Sequence, residues 1–242
     1  MDNALRKQLL EETIVAIKRQ VSPDLFIIQA ISHIDELAKT TNVHMKRFAE
    51  WMGHVLPELI ELKSYEQAVL LTAEHSREEL LRQLGLHEEE SMGVHPTDDD
   101  YKQLQQLAKD IITYMRMKED TGAYLEQLML KECPNMSALA GVNIGARLIM
   151  HAGGIQRLAQ VPASKIQLYG AEKALFRHLR TGAKSPKHGI IHEHPLVQRG
   201  GGKAARALAD KLALAVKVDY FHGEPIAEKI RQELEQRFGV WS

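Results

Sequence analysis

The stretch Val161–Pro195, VPASKIQLYGAEKALFRHLRTGAKSPKHGIIHEHP, decides how the rest of the chain is read. Pro162, Ala163 and Ser164 suit a turn into ordered structure. Gly170–Arg177 reads as a short helix, and Thr181–Gly189, broken by Gly and Pro, reads as an exposed basic loop. Lys165, Lys173, Arg177, Arg180, Lys184 and Lys187 fall within 23 residues. Lys173, Arg177 and Arg180 are spaced i, i+4, i+7, which puts them on one helix face. Lys184 and Lys187 lie on the adjoining loop. A basic helix face beside a basic loop is a surface that grips a phosphate backbone. Gly170 and Gly189 would permit close backbone approach. The opposing reading is local: Lys173 or Arg177 pairs with Glu172 or Glu193 in a solvated face. Aromatic residues are sparse here, so stacking on single-stranded bases is a lesser expectation.

Outward from this stretch the charge is divided unevenly. Gly141–Lys217 holds thirteen Lys and Arg against three Asp and Glu, +10, whereas the remaining residues hold eighteen against twenty-nine, −11. The net charge of −1 conceals this division, which points one part of the chain at a polyanion. The 242 residues are 44% hydrophobic and 26% charged, ordinary for a globular protein, and Leu, Ala, Glu, Lys, Arg and Gln favour helix. No uninterrupted apolar run of about 18 residues is present, so no membrane span is expected. The N-terminus lacks the apolar core of a signal peptide. The single Cys133 excludes an internal disulfide and a multi-cysteine zinc site, and is simplest in a reducing, intracellular compartment.

The pattern along the chain is helical. Residues 1–24 form a charged N-terminal helix and its boundary, with Ser22-Pro23-Asp24 as the next helix start. From Leu25, apolar residues recur at helical spacing; Pro57 bends or restarts the helix, and a further helical stretch runs to about Leu84. Gly85–Pro96 is acidic and reads as a loop or hairpin tip. Thr97 and Asp98–Asp100 start a helix with a stripe at Leu104, Leu107, Ile111, Tyr114, Leu125 and Leu128. The expected organisation is an antiparallel coiled-coil arm over 25–133, with its acidic tip near 85–100, followed by a compact helical module over 134–242. An ordinary helical bundle is the alternative for the stripe. Gly141 and Gly145 let another helix approach a helix over Ser137–Met150. Strand alternation is confined to a few residues near Ile166–Tyr169 and Gly189–His192.

Other motifs carry less. Gly200-Gly201-Gly202-Lys203 fails the phosphate-loop pattern because Ala204 follows the lysine, so a flexible turn before a basic helix is expected, one that can still touch a nucleic-acid backbone. On a strand His192 and His194 would share a face, but no third metal ligand is evident. Cys133 has no His partner by motif, and Glu88–Glu90 and Asp98–Asp100 lack the spacing of a calcium loop. No catalytic residue, metal site or cofactor is expected.

GAEKALFRHLRTG followed by PKHGIIHEHPLV resembles the signature of the Nop domain, the RNA-binding module of box C/D ribonucleoprotein scaffold proteins and of a related spliceosomal protein. So do GARLI ending at Ile149, VPAS at Val161–Ser164 and KAARALADKLALAVKVDYF at Lys203–Phe221. Gln29–Leu59 resembles the family's coiled-coil region. The resemblance implies an all-α protein, a coiled-coil helical arm plus a compact helical Nop domain. It implies binding to a composite surface, kink-turn (box C/D guide) RNA already held by a small ribosomal-type protein, in guide-directed 2′-O-methylation of rRNA or tRNA. Carried over by position, Gln160 and Ala163 lie near the protein–RNA junction, and Lys165, Lys173, Arg177, Lys184 and Lys187 face the RNA. The arm is expected to self-associate. The family's fibrillarin-holding N-terminal domain has no counterpart in this sequence, so methyltransferase recruitment is not expected of it. The family's Lys-rich C-terminal tail is also missing, since the chain ends RFGVWS. The expected compartment is cytoplasmic in a prokaryote and nuclear or nucleolar in a eukaryote. The rival readings are a coiled-coil dimerisation protein, or a component of another particle such as a spliceosome-like one.

Overall fold

The computed structural model describes residues 3–20 and 22–240, with side chains from residue 5 to 18 and from 22 onward. The helices in chain order are α1 (Asn3–Gln20), α2 (Pro23–Val55), α3 (Pro57–Leu62), α4 (Tyr65–Glu74), α5 (Arg77–Leu84), α6 (Asp98–Glu132), α7 (Pro134–Ala140), α8 (Val142–Ala152), α9 (Ile155–Gln160), α10 (Ala163–Leu168), α11 (Glu172–Thr181), α12 (Pro195–Tyr220) and α13 (Ala227–Phe238). Short 3-10 turns occupy Glu88–Glu90 and Ile190–Glu193. The fold is all-α, with no strand among the described residues. The two short segments with strand-like alternation are helical: Ile166 lies in α10, and Ile190–Glu193 is a 3-10 turn. Two to four alternating residues have no neighbouring strand to pair with, so the helix wins.

The chain divides into two compact units, residues 33–122 and residues 1–32 with 123–242. In the first, α2 and α6 run in opposite directions. His44 meets Tyr114 at 5.4 Å, whereas Tyr101 Oη and Gln105 Nε2, near the start of α6, both donate to His75 O at the α4–α5 joint. Phe48, Met52, Val55, Leu104, Ala108 and Ile111 share one core with α3–α5. The seam of α6 is therefore 104/108/111, with Leu107 and Tyr114 only half-buried on its flank. A small alanine takes the position that apolar counting would assign to a leucine, because burial follows helix phase and not side-chain size.

The expected single helical stretch before Leu84 is three helices. Pro57 starts α3, Ser64 caps α4 by accepting from Gln67 N, and Ser76 and Glu79 form a reciprocal cap on α5. Gly85, at φ 72°, ends α5. The acidic loop that follows is tied to the helices beneath it. Arg77, 2% exposed, donates to Val55 O at 2.9 Å and pairs with Glu88. Glu58 accepts from Met92 N at 2.7 Å and Ser91 Oγ at 3.1 Å. Burial opposes ionisation of Glu58, but those hydrogen bonds and the Arg77 charge outweigh it and hold its carboxyl below the ordinary range.

In the second unit α12 is central and packs on α7, α9, α10, α13 and the second 3-10 turn. Its buried face alternates small and large residues: Ala204, Ala205, Leu208, Ala209, Leu212, Ala215 and Val216. Asp219, 4% exposed, closes the end of this helix by accepting from Asn135 N, Asn135 Nδ2 and Met136 N at 2.8–3.0 Å. Asn135 Oδ1 in turn accepts from Ile226 N and Ala227 N, so one buried polar group ties α7, α12 and α13 together. The expected helix over Ser137–Met150 is broken at Gly141, whose φ of 78° separates α7 from α8. Only Gly145 serves close packing: a Cβ there would lie 2.8 Å from Met129 Cε. The polyglycine run is part of α12, with a single break at Gly201 (φ 58°, ψ −146°), and is not a free turn.

Candidate nucleic-acid interface

Helix α11 has no fully buried residue. At 100° per residue, its half-buried Ala174, Leu175 and His178 mark the side that lies on the protein. The opposite side carries Lys173, Arg177 and Arg180 in one stripe, all exposed. Next to that stripe stand Phe176 and Leu179, 66% and 70% exposed. Charge and apolar surface therefore lie side by side on one face. The apolar half is absent from the sequence reading, which counted only cations; Phe176 and Leu179, three apart, were its available signal.

The local reading, in which Glu172 or Glu193 neutralises this stripe, is not what the structure shows. Glu172 accepts from Gly170 N at 2.9 Å and pairs with His151 at 3.4 Å. Burial opposes ionisation of Glu172, yet these partners hold its carboxyl below the ordinary range. Glu193 is held by Arg147 through two contacts of 2.7 and 2.9 Å. Among the described residues neither Lys173, Arg177, Arg180, Lys184 nor Lys187 makes an ion pair with an acid within 4.0 Å.

The loop after α11 is positioned by backbone and amide groups. Gly182 (φ 68°) ends the helix, and His178 Nδ1 meets Ala183 O. Gln167 Nε2 donates to Lys187 O at 2.6 Å, Gly189 N to Gln167 O at 2.9 Å and Ile190 N to Tyr169 O at 2.7 Å. These bonds fasten the loop's far end to α10, leaving Lys184 and Lys187 exposed. The two glycines expected to admit a close approach do so, and the approaching group is the protein's own chain. A Cβ at Gly189 would overlap the Tyr169 carbonyl, and one at Gly170 (φ 85°) would lie 2.6 Å from Ile190 Cγ1.

Gln160 ends α9 and is exposed, and Ala163 begins α10 half-buried. Exposed Lys165 lies 6.0 Å from the Tyr169 ring centre, a cation resting over an aromatic face. A cleft of about 680 Å³ extends the basic surface, lined by Ser164, Gln167, Lys187, Lys203, Arg206 and Asp210. A Cβ added at Gly202 would meet the stem of Lys187 at 3.6 Å, so the loop passes close over α12 there. Arg206, one turn beyond Lys203, is a contributor that the sequence reading missed. Its signal was the i, i+3 spacing of two cations on a helix that otherwise reads as core.

His192 and His194 do not share a face. The expected strand is a 3-10 turn, and the buried His194 ring is within 3.0 Å of Leu139 O and accepts from Leu196 N. His192 instead stacks on His188, ring centres 4.4 Å apart and planes within 8°. The buried Cys133 thiol is pushed well above its ordinary range by burial and by nearby acids, Asp219 foremost.

Residues 33–239 match the protein-family description "Nop: snoRNA binding domain, fibrillarin". The chain is 40% identical over 233 residues to an uncharacterized NOP5 family protein of Methanocaldococcus jannaschii, covering 88% of this chain and 56% of that one. It is 38% identical over 220 residues to nucleolar protein 58 of Candida albicans, covering 83% of this chain and 43% of that one. A solved structure titled as a fibrillarin/Nop5p complex superposes with a TM-score of 0.56 at 26% identity, over 97% of this chain and 76% of that one. The chain thus spans about half the length of these curated relatives. With the match running through α2–α13 and enclosing the exposed basic helix and its loop, the chain belongs to the Nop family of snoRNA-binding-domain proteins.

Proposed function

We propose that this chain is a non-catalytic scaffold of a box C/D ribonucleoprotein, one that binds a composite of kink-turn RNA and the small ribosomal-type protein already seated on it. The observation that carries the reading is α11, where an exposed cation stripe with its neighbouring acids otherwise engaged adjoins exposed Phe176 and Leu179. A phosphate backbone suits the first half and a protein surface suits the second. Lys165, Lys173, Arg177, Arg180, Lys184 and Lys187 contact RNA in this proposal, Gln160 and Ala163 lie where RNA and protein meet, and Gly170 sets the α10–α11 corner. A surface with modest affinity for each partner gains selectivity by requiring both.

In the same proposal residues 134–242 are the RNA-binding module, residues 25–133 an arm that self-associates, and residues 1–24 a leading helix. The arm reading is supported by the antiparallel α2–α6 core within residues 33–122. No catalytic residue or methyltransferase recruitment is assigned. Gel-shift titration with a kink-turn RNA tests the reading. A further shift is expected only when the ribosomal-type protein is bound to the RNA. Equal, salt-sensitive binding to bare RNA of any sequence would instead make this a general polyanion surface.

A further inference from the structure

The loop that presents Lys184 and Lys187 ends in a feature that charge counting does not reach. His188 and His192 stack face to face, ring centres 4.4 Å apart and planes within 8°. His188 is half-buried and His192 exposed. The backbone between them is fixed by the bonds from Gly189 N to Gln167 O and from His192 N to Gly189 O, both 2.9 Å. The stack therefore adjoins Lys187, a residue that lines the basic cleft.

We propose that the His188–His192 stack is a proton-coupled phosphate contact, so that this surface takes up a proton when it binds RNA. The inference rests on the RNA-binding reading of the same surface. In the free protein the cations around this loop outnumber the one acid of the adjoining cleft, Asp210 of α12. Lys187 stands beside His188, and Lys203 and Arg206 of α12 line the same cleft. On the 3-10 turn Glu193 is held by Arg147 of α8, and His194 is buried against Leu139 O. From α10, Lys165 sits over Tyr169 and Gln167 offers only its amide. Burial, then His192 and then Lys187 push His188 below the ordinary histidine range, so His188 is neutral near neutral pH. A phosphate placed against Lys187 reverses the balance, because it favours the imidazolium.

The direction follows from linkage. If RNA raises the histidine pKa, binding takes up a proton. Affinity then gains as pH falls through the window between the free and bound values, and is flat above the bound value.

The experiment compares the full chain with the double variant His188→Asn/His192→Asn in gel-shift titrations on a kink-turn RNA with its ribosomal-type protein. Titrations run at about pH 7.5 and about pH 5.5, with histidine ring protons followed by NMR in the free and bound protein. Wild type should tighten by about three- to tenfold more than the double variant across that interval, and the His188 resonance should titrate higher when RNA is bound. RNA binding with parallel pH profiles in the two proteins, or a His188 titration unmoved by RNA, overturns the proposal and leaves the RNA reading standing. No RNA binding by wild type at either pH overturns the RNA reading and the proposal with it.

Discussion

Replacing Lys173 and Arg177 by alanine is the perturbation on which the RNA-binding surface depends most directly. Both side chains are exposed, and among the described residues neither pairs with an acid within 4.0 Å, so their removal strands no buried partner. Thermal unfolding should therefore stay within about 1–2 °C of wild type. RNA affinity should fall, and in a defined way. Each phosphate contact contributes about 0.7–0.9 to the slope of log affinity against log salt, so losing two lowers the slope by about 1.6. Across a fourfold rise in salt, the ratio of wild-type to variant affinity should shrink by about tenfold. The assay is fluorescence anisotropy on a labelled kink-turn RNA with its ribosomal-type protein, at about 50 mM and about 200 mM salt. A ratio unchanged with salt would show that the two cations do not meet phosphates, even if affinity itself had dropped. The stripe would then act through protein contact alone.

Replacing Phe176 and Leu179 by serine should weaken binding to the RNA–protein composite by about tenfold or more and leave its salt dependence unchanged, measured in the same assay, because exposed apolar side chains serve a protein surface and not phosphates. Asp219→Ala should cost about 3–5 kcal/mol in urea denaturation, since it strands three donors of Asn135 and Met136 in the core. Glu58 gives a pH test: its folded carboxyl ionises below the ordinary value of 4.5, so the stability it supplies is full above that value and is lost as pH falls through the lower folded one. Glu58→Gln should be less stable at neutral pH and show a shallower acid loss than wild type, read as the denaturation midpoint between about pH 6 and about pH 3.

Helix spacing made much of this molecule legible in the chain. The turn at Pro162, the helix after Gly170 and the i, i+4, i+7 cations follow from residue type and period, and α11 places Lys173, Arg177 and Arg180 along one exposed side. Legibility stops where tertiary packing chooses between local options. Nothing local in GIIHEHP distinguishes a strand from a 3-10 turn; the choice is made by Tyr169 O and Gln167 O, which fix Ile190 and Gly189 from about twenty residues away. Glycine misleads in the same manner. Gly170 and Gly189 read as room for a ligand, and the room is used by Ile190 and the Tyr169 carbonyl.

The basic surface shows why composition alone could locate it but not delimit it. A run of +10 marks the segment, yet a cation contributes to a phosphate site only if no acid already neutralises it. Within that segment the structure makes the division: Arg147 is spent on Glu193 and Lys211 on Glu233, whereas the α11 stripe adjoins a Glu172 turned towards Gly170 N and His151. Glu172, the first residue of α11, braces the corner before the helix through Gly170 N. It stays ionised, but its oxygens are engaged by Gly170 N and His151 and form no ion pair with the stripe. Substituting Glu172 should accordingly loosen the helix start at the same time as it alters the charge beside Lys173.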